Sequence, residues 1–380
     1  MNKQIQAVLM LSGMIIGVGM FAIPFSFAQA GFLLGAAELC ILAIVITLVH
    51  VWYGDVVLAT ASHHRLPGYV RMYLGKKAAT IASVSAFFGI TGTLLAYILL
   101  GGIFLHGLLQ SVVLASSPTL WSLVLAAAGA IITFFPLRKE AAINGALTVL
   151  LIVFISALII VLLPHIQSGY IQEFHLPRAF IPYGILLFAL SGGTVIPDVV
   201  SYLKGTPRKT RKVIVIGSLI PAILYFFFGL AVVGVSGGNV SMEAIAGLKE
   251  MAGSQIIWLG NAIGFLAVIT SYIVLNSSFQ AFLRLDAHVS RRLAWAGGSF
   301  LPVFLFLLGF QNYISVISVV GATTVAIDAG LELVMYHLLR HRKERRVTVS
   351  DIAVFGAMYG IIVAGIGYEF FRFMSDYIIR

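Results

Sequence analysis

The chain reads as an all-α polytopic membrane protein of about eleven transmembrane helices, a five-plus-five inverted repeat whose first and sixth helices are discontinuous. Three observations predict this. Of 380 residues, 60% are hydrophobic and 10% charged, and the mean hydropathy is +1.03, so most of the chain must lie in lipid. Lys and Arg sort between alternate loops. Two glycine-rich interruptions, each followed by a proline, fall near the middle of the first and sixth apolar runs.

The apolar runs lie at about 4–29, 31–58, 79–112, 119–136, 141–164, 180–203, 213–236, 254–284, 293–310, 313–339 and 351–378. Two of them, 79–112 and 254–284, exceed a bilayer and must tilt or protrude. Alternate loops place 20 of the 24 Lys and Arg on one side, at 3, 65–77, 138–139, 204–212, 284–292 and 340–346. Arg178, Lys249, Arg372 and Arg380 fall on the other. A bias this large orients the chain in the cell (inner) membrane with its N-terminus cytoplasmic and its C-terminus outside. The formal charge of +10 is therefore a topology signal and not a nucleic-acid footprint. The thin basic start at Lys3 and the lack of a small-residue cleavage site read as a retained first span. One cysteine, Cys40, rules out an intramolecular disulfide and a multi-cysteine metal site.

Spans one to five occupy 1–165, spans six to ten 178–341, and an additional helix 351–380. Five crossings are an odd number, so the second half enters the membrane from the opposite side, as in many secondary transporters. Spans one and six then correspond. In span one, Gly17-Val18-Gly19 lies roughly 18 Å into the run at about 1.5 Å per residue, near mid-membrane, and Pro24 follows. In span six, Ser191-Gly192-Gly193-Thr194 takes the equivalent place and Pro197 follows. Gly13 and Gly17 also make a small-xxx-small pair that could serve close packing. The coincidence of position in both halves favours paired helix breaks with a ligand between them.

At these residues the chain resembles the amino acid/auxin permease family, which includes the bacterial hydroxy- and aromatic-amino-acid permeases, within the amino acid–polyamine–organocation superfamily. Gly13 to Pro24 is similar to that family's first-span glycine motif, and Leu187 to Gly193 with Val195-Ile196-Pro197 to its sixth-span motif. The resemblance implies the LeuT-like fold and eleven spans. A shorter stretch, Ala267 to Tyr272 with Ala281-Phe282-Leu283, is similar to the eighth span of sodium-coupled amino-acid transporters, whose Thr-Ser hydroxyls ligate the ion. Thr270 and Ser271 have a second reading, back-bonding to their own helix.

A free amino acid brings two charges into a medium where an isolated charge costs several kcal/mol. A helix break exposes N–H groups at one end and carbonyls at the other, with about half a charge at each. Gly17, Val18 and Gly19 are expected to offer donors to the carboxylate, and carbonyls around Ile16, Phe188 and Ser191 to take the ammonium. Tyr97 adds a hydroxyl by resemblance; its other reading is an aromatic that fills the bundle. Phe188, Ser191 and Leu275 are expected to line the side-chain pocket. No acid stands at the middle of spans one, three, six or eight, which points to a neutral or aromatic amino acid, although Asp198 lies about a turn below the sixth-span break.

No resident cofactor is expected. The resemblance to sodium-coupled transporters implies sodium as the coupling ion, held by Gly13, Ile16, Ala267, Thr270 and Ser271, with a proton as the alternative. Glu38, Asp55, Asp286, Asp328 and Glu332 are intramembrane or near-membrane acids open to proton or gate roles, with Asp328 and Glu332 on one face of span ten. No HExxH, histidine cluster or nucleophile motif supports an enzyme. The expected function is import of a neutral or aromatic amino acid by cation symport through alternating access, with amino acid and lipid bilayer as partners and no obligatory protein partner evident. The alternative is an amino-acid sensor on the same fold, with the same binding residues. The charge split makes the orientation testable: a reporter active only in the cytoplasm, fused after Arg380, should be silent, and strong activity there would remove one span.

Overall fold

In hydrocarbon a backbone can satisfy its own N–H and C=O groups only as a helix or a closed barrel, so apolar runs of this length fold as helices. The computed structural model describes residues 3–113, 117–135, 140–204, 206–285, 289–342 and 349–377, and these contain no strand. The elements are α1 Lys3–Ile15, α2 Ile23–Ala30, α3 Phe32–Ala59, α4 Leu66–Leu74, α5 Lys76–Leu109, α6 Pro118–Phe134, α7 Glu140–Leu162 and the single turn α8 Ser168–Ile171. There follow α9 Ile181–Leu190, α10 Ile196–Tyr202, α11 Pro207–Ser236, α12 Lys249–Leu285, α13 Arg291–Leu307, α14 Tyr313–Val320, α15 Ala326–Arg342 and α16 Val349–Tyr377.

The two expected interruptions are present and built alike. α1 ends at Ile15, Gly17 turns extended at φ −135° and ψ −154°, and a 3₁₀ turn over Val18–Ala22 leads into α2. The two parts of this first span are inclined by 51°. α9 ends at Leu190, Ser191 and Gly192 leave the helix, and a 3₁₀ turn over Gly193–Val195 leads into α10. Pro24 and Pro197 each sit in the first turn of the second part, where the missing N–H breaks no helical bond. The Gly17–Gly19 break expected in span one is thus shifted: the chain leaves the helix at Ile16-Gly17, and Val18 and Gly19 belong to the 3₁₀ turn.

Helices occupy all eleven expected segments, but they are not equal. Among the described residues six are long and apolar enough to cross a membrane, and the bent first pair makes a seventh. The apolar stretches Pro118–Phe134, Val149–His165 and Phe355–Glu369 are shorter. The expected long run 254–284 becomes α12, interrupted at Gly253, where φ is +79°. Of the acids singled out, Asp286 lies outside the described residues.

Two buried clusters form the interior. The larger gathers α1–α3, α7, α9, α11 and α14 around the two breaks. The smaller holds Leu94 and Ile98 of α5, Leu125 of α6, Tyr272 and Phe279 of α12 and Ala294 of α13. Between α14 and α15 lies a π turn, Gly321–Val325, which packs on α9. Contact there is backbone on backbone: a Cβ on Gly184 would run into the Ser318 carbonyl, and one on Gly321 into the Gly184 carbonyl. Small residues let helices approach this closely in lipid, where van der Waals packing drives association. Gly184→Ala should therefore lower stability by about 1–3 kcal/mol. Gly330→Ala, where a Cβ meets nothing within 4 Å, should not; thermal unfolding in lipid nanodiscs checks both.

Candidate functional site

Breaking a helix inside a membrane leaves backbone groups that no lipid can satisfy, so the surroundings of each break show what the protein itself supplies. At the first break, Tyr225 of α11 donates its hydroxyl to the Ile15 carbonyl at 2.8 Å and also lies 3.2 Å from the Ala189 carbonyl at the end of α9. Tyr313 of α14 donates to the Val18 carbonyl at 2.5 Å. At the sixth-span break, the Gly192 N–H donates to His50 Nε2 of α3 at 3.3 Å, and His50 Nδ1 lies 3.1 Å from Ser218 Oγ. Since Nε2 accepts, the ring proton sits on Nδ1 and points to Ser218. All three side chains are buried.

Among the described residues the Gly17 N–H finds no acceptor. A Cβ built on Gly17 would meet nothing closer than Tyr97 Oη, at 3.9 Å. Tyr97 reaches this point from α5, and its hydroxyl shares a hydrogen bond with Ser271 of α12. A small cavity of about 10 Å³ adjoins the break, lined by Ile16, Gly17, Val18, Phe21, Leu151, Ala267, Val268 and Ser271. Its size suits one water or one small ion.

The residues expected from the sequence fall into two groups. Ile16, Gly17, Val18, Ala267 and Ser271 meet on this cavity, with Tyr97 joined through Ser271. Gly19 faces the other way: its Cβ would lie 2.9 Å from Phe188 Cδ1 and from the Ala189 Cα, so this glycine serves the contact between the two broken helices. The expectation that Gly19 presents an open face to a ligand is corrected on that ground. Phe188 is buried at that contact, and its carbonyl accepts the Ser191 N–H at 3.2 Å. Gly13 lies on α1 outside the cavity lining. Thr270 donates its hydroxyl to the Leu266 and Ala267 carbonyls at 2.9 and 3.2 Å. Leu275, about a turn beyond Ser271, packs on the smaller cluster.

Both ends of the broken helices are tied. Asp198 of α10 takes Arg65 at 3.1 Å and His63 at 3.4 Å, and Arg65 also reaches the Thr194 carbonyl at 3.3 Å. At the opposite end Arg178 donates to Gln29 at 3.1 Å, and the His175 N–H to the Ala30 carbonyl at 2.9 Å. Asp55 is held by Arg211 through two bonds of 2.8 and 2.9 Å, which takes it out of the list of unattached acids.

Tyr225, Tyr313 and His50 were not singled out from the sequence. In apolar runs a lone tyrosine or histidine reads as packing, and what identifies these three is the carbonyl or N–H each meets across the bundle. Tyr225→Phe and Tyr313→Phe keep the rings and remove the hydroxyls, so each should cost about 1–3 kcal/mol for a buried carbonyl left unpaired. Thermal unfolding of the two variants against the parent measures this.

Residues 1–365 match the family model described as the tryptophan/tyrosine permease family. The chain is 25% identical over 351 residues to Tyrosine-specific transport system 2 of Haemophilus influenzae, covering 84% of each protein. It is 23% identical over 332 residues to Tyrosine-specific transport system 1 of the same organism, covering 82% of each. Among solved structures, MhsT in complex with L-phenylalanine matches with a TM-score of 0.63 at 16% identity, over 96% of this chain and 97% of that one. Mhp1, a nucleobase-cation-symport-1 family transporter in a closed conformation with bromovinylhydantoin bound, matches with a TM-score of 0.68 at 11% identity, over 96% and 90%. Both likenesses show the all-helical fold of this chain. Over nearly its whole length, this chain belongs to the tryptophan/tyrosine permease family.

Proposed function

We propose that this protein is a secondary active transporter that imports an aromatic amino acid, tyrosine or tryptophan, across the cell membrane by cation symport and alternating access. The observation that carries the reading is the first-span break, where the Gly17 N–H has no acceptor among the described residues and the open side of Gly17 looks onto the Tyr97 hydroxyl. A carboxylate there gains a backbone donor and a phenolic donor, and no Cβ stands in its way. Family membership and the two tyrosine-specific relatives support the aromatic side chain. Phe188, Ser191 and Leu275 are assigned to its surroundings.

The same proposal includes eleven crossings with a cytoplasmic N-terminus, and inverted halves at 1–165 and 178–341 followed by the additional helix 351–380. It also includes placement in the amino acid/auxin permease family. A cavity of about 10 Å³ does not admit an aromatic amino acid, so substrate entry requires the tied ends at Arg178–Gln29 or Arg65–Asp198 to part. That supports a cycle of alternate opening. A sodium ion would draw on Ile16, Ala267 and Ser271 at the cavity, with Gly13 and Thr270 outside its lining. A proton would need a carboxyl group and no such cage.

Counterflow of labelled tyrosine and tryptophan in liposomes tests the function, since a sensor on this fold exchanges nothing across the bilayer. Gly17→Val, which fills the open face, should weaken substrate binding about tenfold or more, or about 1.4 kcal/mol. Tyr97→Phe should weaken it about three- to tenfold for one lost hydrogen bond. Binding within about twofold of the parent in both variants would sink the carboxylate site.

A further inference from the structure

The cytoplasmic half of the sixth span carries a second constellation, separate from the first-span cavity. Glu332 of α15 is 5% exposed, and its Oε1 lies 2.8 Å from where a Cβ on Gly193 would stand. A carboxyl group therefore rests directly against the residue that opens the second half of the broken helix. Asp328, one turn earlier on the same face, accepts a hydrogen bond of 2.8 Å from Ser85 of α5. Tyr53 of α3 is 1% exposed, and its hydroxyl has no hydrogen-bond partner among the described residues. Glu332, Asp328, Tyr69 and Arg65 all lie close enough to that hydroxyl to act on it electrostatically.

The groups around Glu332 can be followed element by element. From its own helix comes Asp328, the one charged group that bears on it among the described residues. α3 brings Tyr53 and His50, the latter committed to Gly192 and Ser218. α4 and the turn before it bring Tyr69 and Arg65, the latter committed to Asp198 and Thr194. α5 brings Ser85, and α10 brings Asp198, paired with Arg65 and His63. From α16, Phe355 lies against Trp52, Tyr336 and His337. No cation in this set is directed at Glu332. An ionised carboxylate in a dry interior costs several kcal/mol unless paired, whereas a protonated one can donate a hydrogen bond. A groove of about 370 Å³ between α5 and α15, lined largely by apolar side chains such as Ile81, Val84, Phe88 and Ile327, reaches Ser85, which donates to Asp328.

Resting on the permease reading, we propose that Glu332 is the proton-binding group that couples transport to the cytoplasmic half of span six. With the proton bound, Glu332 is neutral and fits against Gly193 in the closed arrangement. When the O–H bond breaks and the proton passes to water, the remaining carboxylate must be hydrated, and hydration at Gly193 opens the break towards the cytoplasm.

Reconstituted protein, labelled tyrosine and an imposed inward proton gradient in choline buffer test this. Wild type should accumulate tyrosine, and replacing choline by sodium at fixed pH should change nothing. E332Q should still exchange labelled for unlabelled tyrosine but lose gradient-driven accumulation about tenfold or more, while D328N retains it. Accumulation by E332Q at the wild-type level, or wild-type uptake that needs sodium and ignores the proton gradient, overturns the proposal. An independent readout is infrared difference spectroscopy between acidic and alkaline buffer: E332Q should lack one component of the wild-type protonated-carboxyl band, and an unchanged band also overturns the proposal. Should E332Q not fold, Glu332→Asp keeps the carboxyl and should displace the pH dependence of accumulation; an unmoved profile counts against Glu332. Absence of wild-type exchange with the infrared band intact would instead fell the transport reading alone.

Discussion

A backbone that stops being helical inside a membrane must find partners for its freed groups, and the rest of this fold is arranged to supply them. Tyr225, Tyr313 and His50 come from three different helices, α11, α14 and α3, and each ends on a backbone atom of a broken one. The helices that surround the breaks are therefore more than walls. They carry the hydrogen bonds that make an unwound segment affordable in lipid, and they leave the Gly17 N–H as a donor that the protein does not use itself.

This division explains why the two breaks differ chemically although they are built alike. The first is open on its Tyr97 side. The sixth is occupied by the protein's own groups, with His50 on Gly192 and Glu332 against Gly193. On the proposed reading one break faces the cargo, whereas the other holds an internal acid.

Much of the fold was legible in the sequence because its signals are large. Apolar run lengths and the glycine-proline interruptions each involve many residues or a conformational demand that few residue types meet. The site was legible only in part. Ile16, Gly17, Val18, Ala267 and Ser271 do meet, because backbone breaks announce themselves through glycine. Gly19 was misread for the same reason: its glycine signals close approach to Phe188 and Ala189, which looks identical in sequence to a ligand cradle. Tyr225 and His50 were invisible because their meaning lies in partners 210 and 142 residues away.

The Tyr225 hydroxyl has one proton and two carbonyls in reach, Ile15 at 2.8 Å on the first span and Ala189 at 3.2 Å on the sixth. It acts as a rivet through both broken helices. Any movement that pulls them apart must strand one carbonyl before another partner can arrive, so separation of the pair would begin with an abrupt step, and small thermal motions leave them travelling as one piece. The parts free to move are then the scaffold helices around that riveted pair, which places the mechanical compliance of the molecule outside its two helix breaks.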